Sequence, residues 1–204
     1  MKGLYAITPD VASTDALIKM VTRALEGGAT VLQYRNKSAD APLRKEQAQA
    51  LLRLARSKRV PLIINDDVAL AAEIDADGAH VGREDGEVAA ARRHLPGKLL
   101  GASCYASLEA ATTAVADGAD HIAFGSVFAS LTKPDARRAP LDLFSRARSL
   151  GVPLVAIGGI SAENAPLVVA AGADCVAVIT DLFGADDIAG RAALYRVLFE
   201  THHV

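Results

Sequence analysis

Short runs of apolar residues alternate along the chain with stretches in which Ala and Leu recur at helical spacing. The apolar runs read as strands at Gly3–Thr8, Thr30–Arg35, Pro61–Asn65, Ala79–Gly82, Leu99–Cys104, His121–Val127, Pro153–Gly158 and Cys175–Thr180. Helical stretches fall at Asp15–Glu26, Leu43–Ser57, Val68–Glu73, Glu87–His94, Leu108–Asp117, Leu141–Leu150, Ala162–Ala170 and Asp187–Phe199. Strands alternating with helices predict a parallel sheet with helical crossovers. Eight such units in 204 residues fit the lower end of the size range of a closed (β/α)8 TIM barrel, one α/β domain over residues 1–204. A doubly wound open sheet accommodates the same periodicity, so both arrangements stay open.

A repeat runs through the pattern. Gly28-Ala29, Gly78-Ala79, Gly118-Ala119 and Gly172-Ala173 stand before or at the second, fourth, sixth and eighth strands. Gly can end the preceding helix in a left-handed cap, and Ala leaves room for close helix-to-strand packing. Gly-Ala is also a common helix-to-strand turn, and either reading fits. One connection departs from the short ones: Ala129–Pro140 is long, has no helical pattern, and carries hydroxyls, Lys133 and two arginines. Long ordered loops in compact domains tend to serve function, which makes this one the natural candidate for a lid.

Composition narrows the classes. The charge balance of 22 basic and 24 acidic residues leaves a net charge of -2, so no broad cationic face suggests nucleic acid or anionic lipid. With no Trp and 4% aromatics, a base-stacking platform is also disfavoured. Cys104 and Cys175 lie in or beside apolar runs and read as reduced core thiols. The first apolar run is too short for a signal peptide and no run reaches the length of a membrane span, so the expectation is a cytoplasmic protein.

Candidate chemistry sits where the predicted strands end. Gln33 and Arg35 share one strand face above Val31, and Lys37 follows from the loop. On the inner face they would offer an amide, a guanidinium and an ammonium to a phosphate; otherwise they form an exposed basic turn. Ile63 and Asn65 likewise share a face, with Asp66 and Asp67 at the rim. Asp66 and Asp85 could share a hard cation such as Mg²⁺, while Asp67, like Asp85, also suits a helix cap. Gly101 and Ser103 share the face opposite Ala102 and Cys104. His80 and His121 lie at strand starts, on the rim away from such chemistry, and read as structural. Gly158-Gly159 after the seventh strand, with Thr180 after the eighth, matches how many barrels seat a phosphate on backbone N–H groups.

Together these segments resemble the thiamine-phosphate synthase family over nearly the whole chain. The likeness rests on QYRNK at 33–37 (the family favours Q-L-R-E-K), IINDD at 63–67, DGAHVGRED at 77–85 and GAS at 101–103. It continues in SLTKPD at 130–135, AIGGI at 156–160 and GADCVAVIT at 172–180. The resemblance implies a (β/α)8 barrel using one Mg²⁺ per subunit, held by Asp66 and Asp85. It implies two small-molecule substrates, 4-amino-2-methyl-5-hydroxymethylpyrimidine diphosphate and hydroxyethylthiazole phosphate. Arg35, Lys37, Asn65 and Lys133 would bind the diphosphate, and Gln33 and Ser103 would fix the pyrimidine. Ser130, Thr132, Gly159, Ile179 and Thr180 would hold the thiazole phosphate. Tyr34, Asn36 and Leu131 are assigned to the substrate surface as members of the same motifs. Arg35, Lys37, Ser103 and Lys133 are the implied catalytic group.

The family's chemistry, departure of diphosphate to leave a pyrimidine cation that the thiazole nitrogen captures, calls for positive charge and exclusion of water more than for a base. The chain departs from the pattern in four places. Tyr34 replaces Leu and should point away from ligand. Asn36 replaces Glu and removes a negative charge. Arg83 stands where Gln is common and adds a cation beside Asp85. Thr180 replaces Ser and keeps the hydroxyl. The competing readings are a thiazole tautomerase of the same fold, another phosphate-binding barrel, and a precursor-binding protein without turnover.

Overall fold

The computed structural model describes residues 1–82, 86–129 and 138–201. Eight parallel strands pair in chain order: β1 (Gly3–Ile7), β2 (Val31–Tyr34), β3 (Leu62–Asn65), β4 (Gly78–Val81), β5 (Leu99–Tyr105), β6 (His121–Phe124), β7 (Leu154–Ile157) and β8 (Cys175–Val178). Pairing of β8 with β1 closes the ring and removes the open sheet from consideration. Around it run α1 (Thr14–Glu26), α2 (Ala41–Lys58), α3 (Val68–Glu73), α4 (Val88–His94), α5 (Leu108–Ala116), α6 (Asp142–Ala147), α7 (Ala165–Ala171), α8 (Thr180–Phe183) and α9 (Ile188–Thr201). No helix among the described residues is long and apolar enough to cross a membrane.

Side-chain alternation sorts the core into two shells. Tyr5, Ile7, Val31, Ile63, Ala123, Val155, Cys175 and Ala177 fill the ring. Their neighbours Leu4, Leu32, Leu62, Ile64, Leu100, Ile122, Leu154 and Val176 face outward into the helices. Helices restart above the strand ends because polar residues there satisfy free N–H groups. Ser13 accepts from Ala16, Asp40 from Leu43, Asp67 from Leu70 and Ser107 from Ala110.

At the opposite end the repeat is real, but one member is displaced. Gly28, Gly118 and Gly172 are left-handed, whereas Gly78 is already the first residue of β4. The left-handed residue before β4 is Asp75, so the repeating unit is Gly28-Ala29-Thr30, Asp75-Ala76-Asp77, Gly118-Ala119-Asp120 and Gly172-Ala173-Asp174. In each, the Ala N–H reaches back five residues to a helix carbonyl, and the third residue's N–H bonds the preceding odd strand. Asp77, Asp120 and Asp174 also accept the N–H of Leu62, Leu100 and Leu154 at 2.8–2.9 Å, while Thr30 donates instead to the Lys2 carbonyl. Gly78 is small for a different reason: a Cβ there would run into the Leu99 carbonyl of β5. An arginine braces each unit. Arg56 donates to the Asp75 carbonyl and Arg92 to that of Gly118, Arg148 pairs with Asp174, and Arg196 packs over Gly28. These four clasps hold the N-terminal end of the barrel, the end that serves stability in this fold.

Most boundaries shift by a residue or two from the sequence reading, and α7 opens at Ala165, three residues late. Strands β6 and β8 stop at Phe124 and Val178, short of Val127 and Thr180, and α6 tightens into a 3-10 turn at Arg148–Leu150. The short α8 is an extra helix for which the alternation gave no signal, since the four residues Thr180–Phe183 are too few to show a helical period.

Candidate active site at the C-terminal rim

The ends of β1, β2 and β3 build one wall. Thr8 accepts the Arg35 N–H at 2.9 Å and donates to the Arg35 carbonyl at 2.7 Å, pinning the turn after β2. Asp10 accepts from Arg35 Nη1 at 2.8 Å and from the Lys37 backbone at 3.2 Å. Lys37 Nζ stands 4.0 Å from the Asp66 carboxylate. Asn65 lies one residue before it, and Asp66 holds a left-handed conformation, φ 64°, with its N–H bonded to the His80 carbonyl. Such a backbone costs a non-glycine residue about 1–3 kcal/mol and is tolerated where a side chain must be aimed. Asp67 caps α3 through Leu70 N–H, which leaves Asp66 as the carboxylate turned to the rim. Arg35, Lys37, Arg44, Asn65, Asp66 and Asp67, with Tyr34 and Asn36, line a small open pocket.

Below the rim a polar chain crosses the barrel. Gln33 donates to the Tyr5 hydroxyl at 2.9 Å, both buried, and burial raises the Tyr5 pKa. Tyr5 packs 5.9 Å from the His121 ring, which lies 5.6 Å from His80, and His80 Nε2 meets Ser103 Oγ at 2.8 Å. Gly101 makes room for this chain, because a Cβ there would overlap both imidazoles. His121 is fully buried and neither ring nitrogen has a hydrogen-bond partner. Burial, then the neighbouring His80 and the N-terminus, push its pKa down to about 3.

The expectation for His80 is therefore corrected. Counting β4 from Gly78, and pairing it Asn65↔His80, lifts His80 to the level of Asn65, where it holds a predicted substrate residue. Two side chains of QYRNK are also tied into the scaffold. Tyr34 faces outward and its hydroxyl donates to Gln47 at 2.9 Å. Asn36 is buried in the scaffold, donating to Val11 and Gln47 and accepting from Ser38 and Ala39. Both residues nonetheless border the open pocket at this rim. Of their neighbours, Gln33 lies on the inner face, bonded to Tyr5, and Arg35 stands at the rim paired with Asp10.

The far wall is the end of β7 and β8. Gly158 and Gly159 are left-handed, and at Gly159 a Cβ would collide with the Phe128 and Ala129 carbonyls, so the chain entering the long loop lies directly on them. Ile179 caps α8 and packs on the inner shell, and Thr180 opens α8 exposed. An extra short helix after the eighth strand is where barrels of this kind commonly seat phosphate. Asp181 ties this wall together, accepting from Tyr195 at 2.6 Å, from Ala162 N–H at 3.3 Å and from Arg191 at 3.5 Å.

Of the predicted site, Gln33, Arg35, Lys37, Asn65, Asp66, Ser103, Gly159, Ile179 and Thr180 gather at this one end. Asp85, Ser130, Leu131, Thr132 and Lys133, with Arg83, lie outside the described residues. The residues missed were Tyr5, Thr8, Asp10, His80 and Asp181. Asp10 had a signal, an acid directly after a strand, of the kind that marked Asp66. Among the described residues no three His, Cys, Asp or Glu side chains form a cage for a metal. Magnesium needs no such cage: one or two carboxylates and substrate phosphates suffice, and Asp66 offers a hard oxygen at the pocket.

Comparison with known proteins agrees with this geometry. The family described as thiamine monophosphate synthase (TMP-TENI) matches residues 4–182. A thiamine-phosphate synthase of Aromatoleum aromaticum is 53% identical over 202 residues, 98% of this chain and 97% of that protein. One of Methylobacillus flagellatus is 54% identical over 200 residues, 98% of this chain and 96% of that protein. The solved thiamine phosphate pyrophosphorylase of Pyrococcus furiosus superposes with a TM-score of 0.89 at 36% identity, covering 98% of this chain and 96% of that one. A chain that matches this family over most of its length, in sequence as in fold, belongs to it: the protein is a transferase of the thiamine monophosphate synthase family.

Proposed function

We propose that this chain joins 4-amino-2-methyl-5-hydroxymethylpyrimidine diphosphate to hydroxyethylthiazole phosphate, releasing diphosphate. The supporting observation is the shared rim: all strands run parallel, so Arg35 and Lys37 after β2 and Gly158-Gly159 after β7 stand at the same end of the ring, where Gln33 and Ser103 lie near the ends of their own strands. The bond from the pyrimidine methylene to diphosphate oxygen breaks, and its electron pair leaves with the diphosphate. The thiazole nitrogen then supplies the pair for the new C–N bond. Arg35 and Lys37, with Lys133, lower the cost of negative charge growing on the departing group. Gln33 and Ser103 hold the ring, Ser103 being oriented by His80. Gly159, Ile179 and Thr180, with Ser130 and Thr132, take the thiazole phosphate.

Asp66 with Asp85 would hold Mg²⁺, which supplies Lewis-acid stabilisation of diphosphate when bound. Burial pushes both thiols, Cys104 and Cys175, up to about 12, so neither is a ready nucleophile. The two unpaired thiols also accord with a cytoplasmic setting.

The test is to mix purified protein with both substrates and Mg²⁺ and follow thiamine phosphate and diphosphate. Equimolar formation of both is expected. Intact substrates would sink the proposal, and isomerised thiazole alone would replace it with a tautomerase.

A further inference from the structure

Arg44 belongs to none of the motifs that mark the family. It sits in the first turn of α2, yet it lines the same pocket as Arg35, Lys37, Asn65 and Asp66. The three cations of that pocket are not equivalent. Arg35 is bonded to Asp10, and Lys37 faces Asp66. The Arg44 guanidinium makes no ion pair with any described residue, and its Nε is buried with no hydrogen-bond partner. The nearby Asp67 spends a carboxylate oxygen on its helix cap. Position 36, where the family favours Glu, carries a neutral Asn consumed by the scaffold, so that wall offers no anion either.

A guanidinium stays charged at any working pH, and a desolvated donor left unmet is costly. What relieves it must bring oxygen and negative charge into the pocket. A planar fork beside an ammonium and an amide matches two oxygens of one phosphoryl group. We propose that Arg44 is a further diphosphate-binding residue, gripping the anion from helix α2 while Arg35 and Lys37 grip it from the β2 turn. This rests on the synthase reading above, and its ligand class is an inorganic or organic diphosphate.

The experiment is calorimetric titration of inorganic diphosphate, with Mg²⁺ present, into wild type, Arg44→Gln and Arg44→Lys, alongside turnover of the wild type. Thermal midpoints check that each variant is folded. Arg44→Gln should weaken diphosphate binding about tenfold to a hundredfold, the range for a charge-assisted hydrogen bond to phosphate. Arg44→Lys, which keeps the charge and loses the fork, should recover only part of that. The KM for hydroxyethylthiazole phosphate should stay unchanged in both. Wild-type affinity in a folded Arg44→Gln, with the wild type turning over, overturns the role of Arg44 and leaves the synthase reading standing. A wild type that neither turns over nor binds diphosphate overturns both.

Discussion

His121 makes the barrel sensitive to acid by an amount that can be worked out. Its imidazole is enclosed by Tyr5, His80 and the Gly101 backbone, and burial first, then His80, hold its pKa at about 3 against 6.5 for the free side chain. The folded pKa is depressed, so the unfolded chain binds the proton more readily. The stability contribution is therefore whole above pH 6.5 and drains away as pH falls from 6.5 towards 3. At about pH 4.5 an unfolded imidazole is protonated roughly a hundred to one, while the folded one is still mostly neutral. At about 1.4 kcal/mol for each factor of ten, that difference removes about 3 kcal/mol. A domain's net stability is typically about 5–15 kcal/mol, so the loss is a large share. The perturbation is His121→Gln, which keeps a polar side chain of similar reach and cannot titrate. Urea unfolding of both proteins at pH 7 and about pH 4.5 measures it, and carboxylates common to the two cancel in the comparison. Wild type should lose about 3 kcal/mol more than His121→Gln between the two pH values. Equal losses would refute the picture of a neutral, enclosed imidazole.

Two further outcomes separate the ends of the barrel. Asp181→Asn removes the charge that holds Tyr195, Ala162 and Arg191 together behind the β7–β8 wall. It should raise the KM for hydroxyethylthiazole phosphate several-fold while leaving that for the pyrimidine diphosphate alone, which steady-state kinetics with each substrate varied in turn will check. At the far end, Arg92→Met strips donors from the carbonyls of Leu95, Lys98 and Gly118 and breaks the ion pair with Asp120. It should cost about 1–3 kcal/mol in denaturant melts with kcat unchanged.

Period and order were the legible part of this chain. Alternation put Gln33 on one strand face with Val31, Asn65 with Ile63 and Ser103 with Gly101, and closure of the ring turned those faces inward. The left-handed turn before β4 was misplaced by three residues, since Gly78 looks like its counterparts while Asp75 does the bending. His80 was misread for the same reason: its level depends on where β4 begins, and register against β3 is not written in local sequence. Asn36 and Tyr34 show a second limit. Membership of a motif marks a region as functional, but it takes packing against Gln47 and Val11 to tell which side chains serve the scaffold. Arg44 carries no motif at all, and only the fold of α2 over β2 brings it to the pocket.

The clasps at the closed end divide the barrel into quarters. Each one binds an odd strand to the even strand that follows it, at 28–30, 75–77, 118–120 and 172–174, while the joints at 59–61, 96–98 and 151–153 sit between quarters. The arginines run the other way: Arg56, Arg92 and Arg148 stand before those joints and brace the clasp beyond them, so a cut at a joint spares the strand pairing of each quarter but leaves its brace on the other piece. The quarters are thus riveted to one another, and a permuted chain, which keeps all its parts, should tolerate a break at a joint better than an exchanged fragment does.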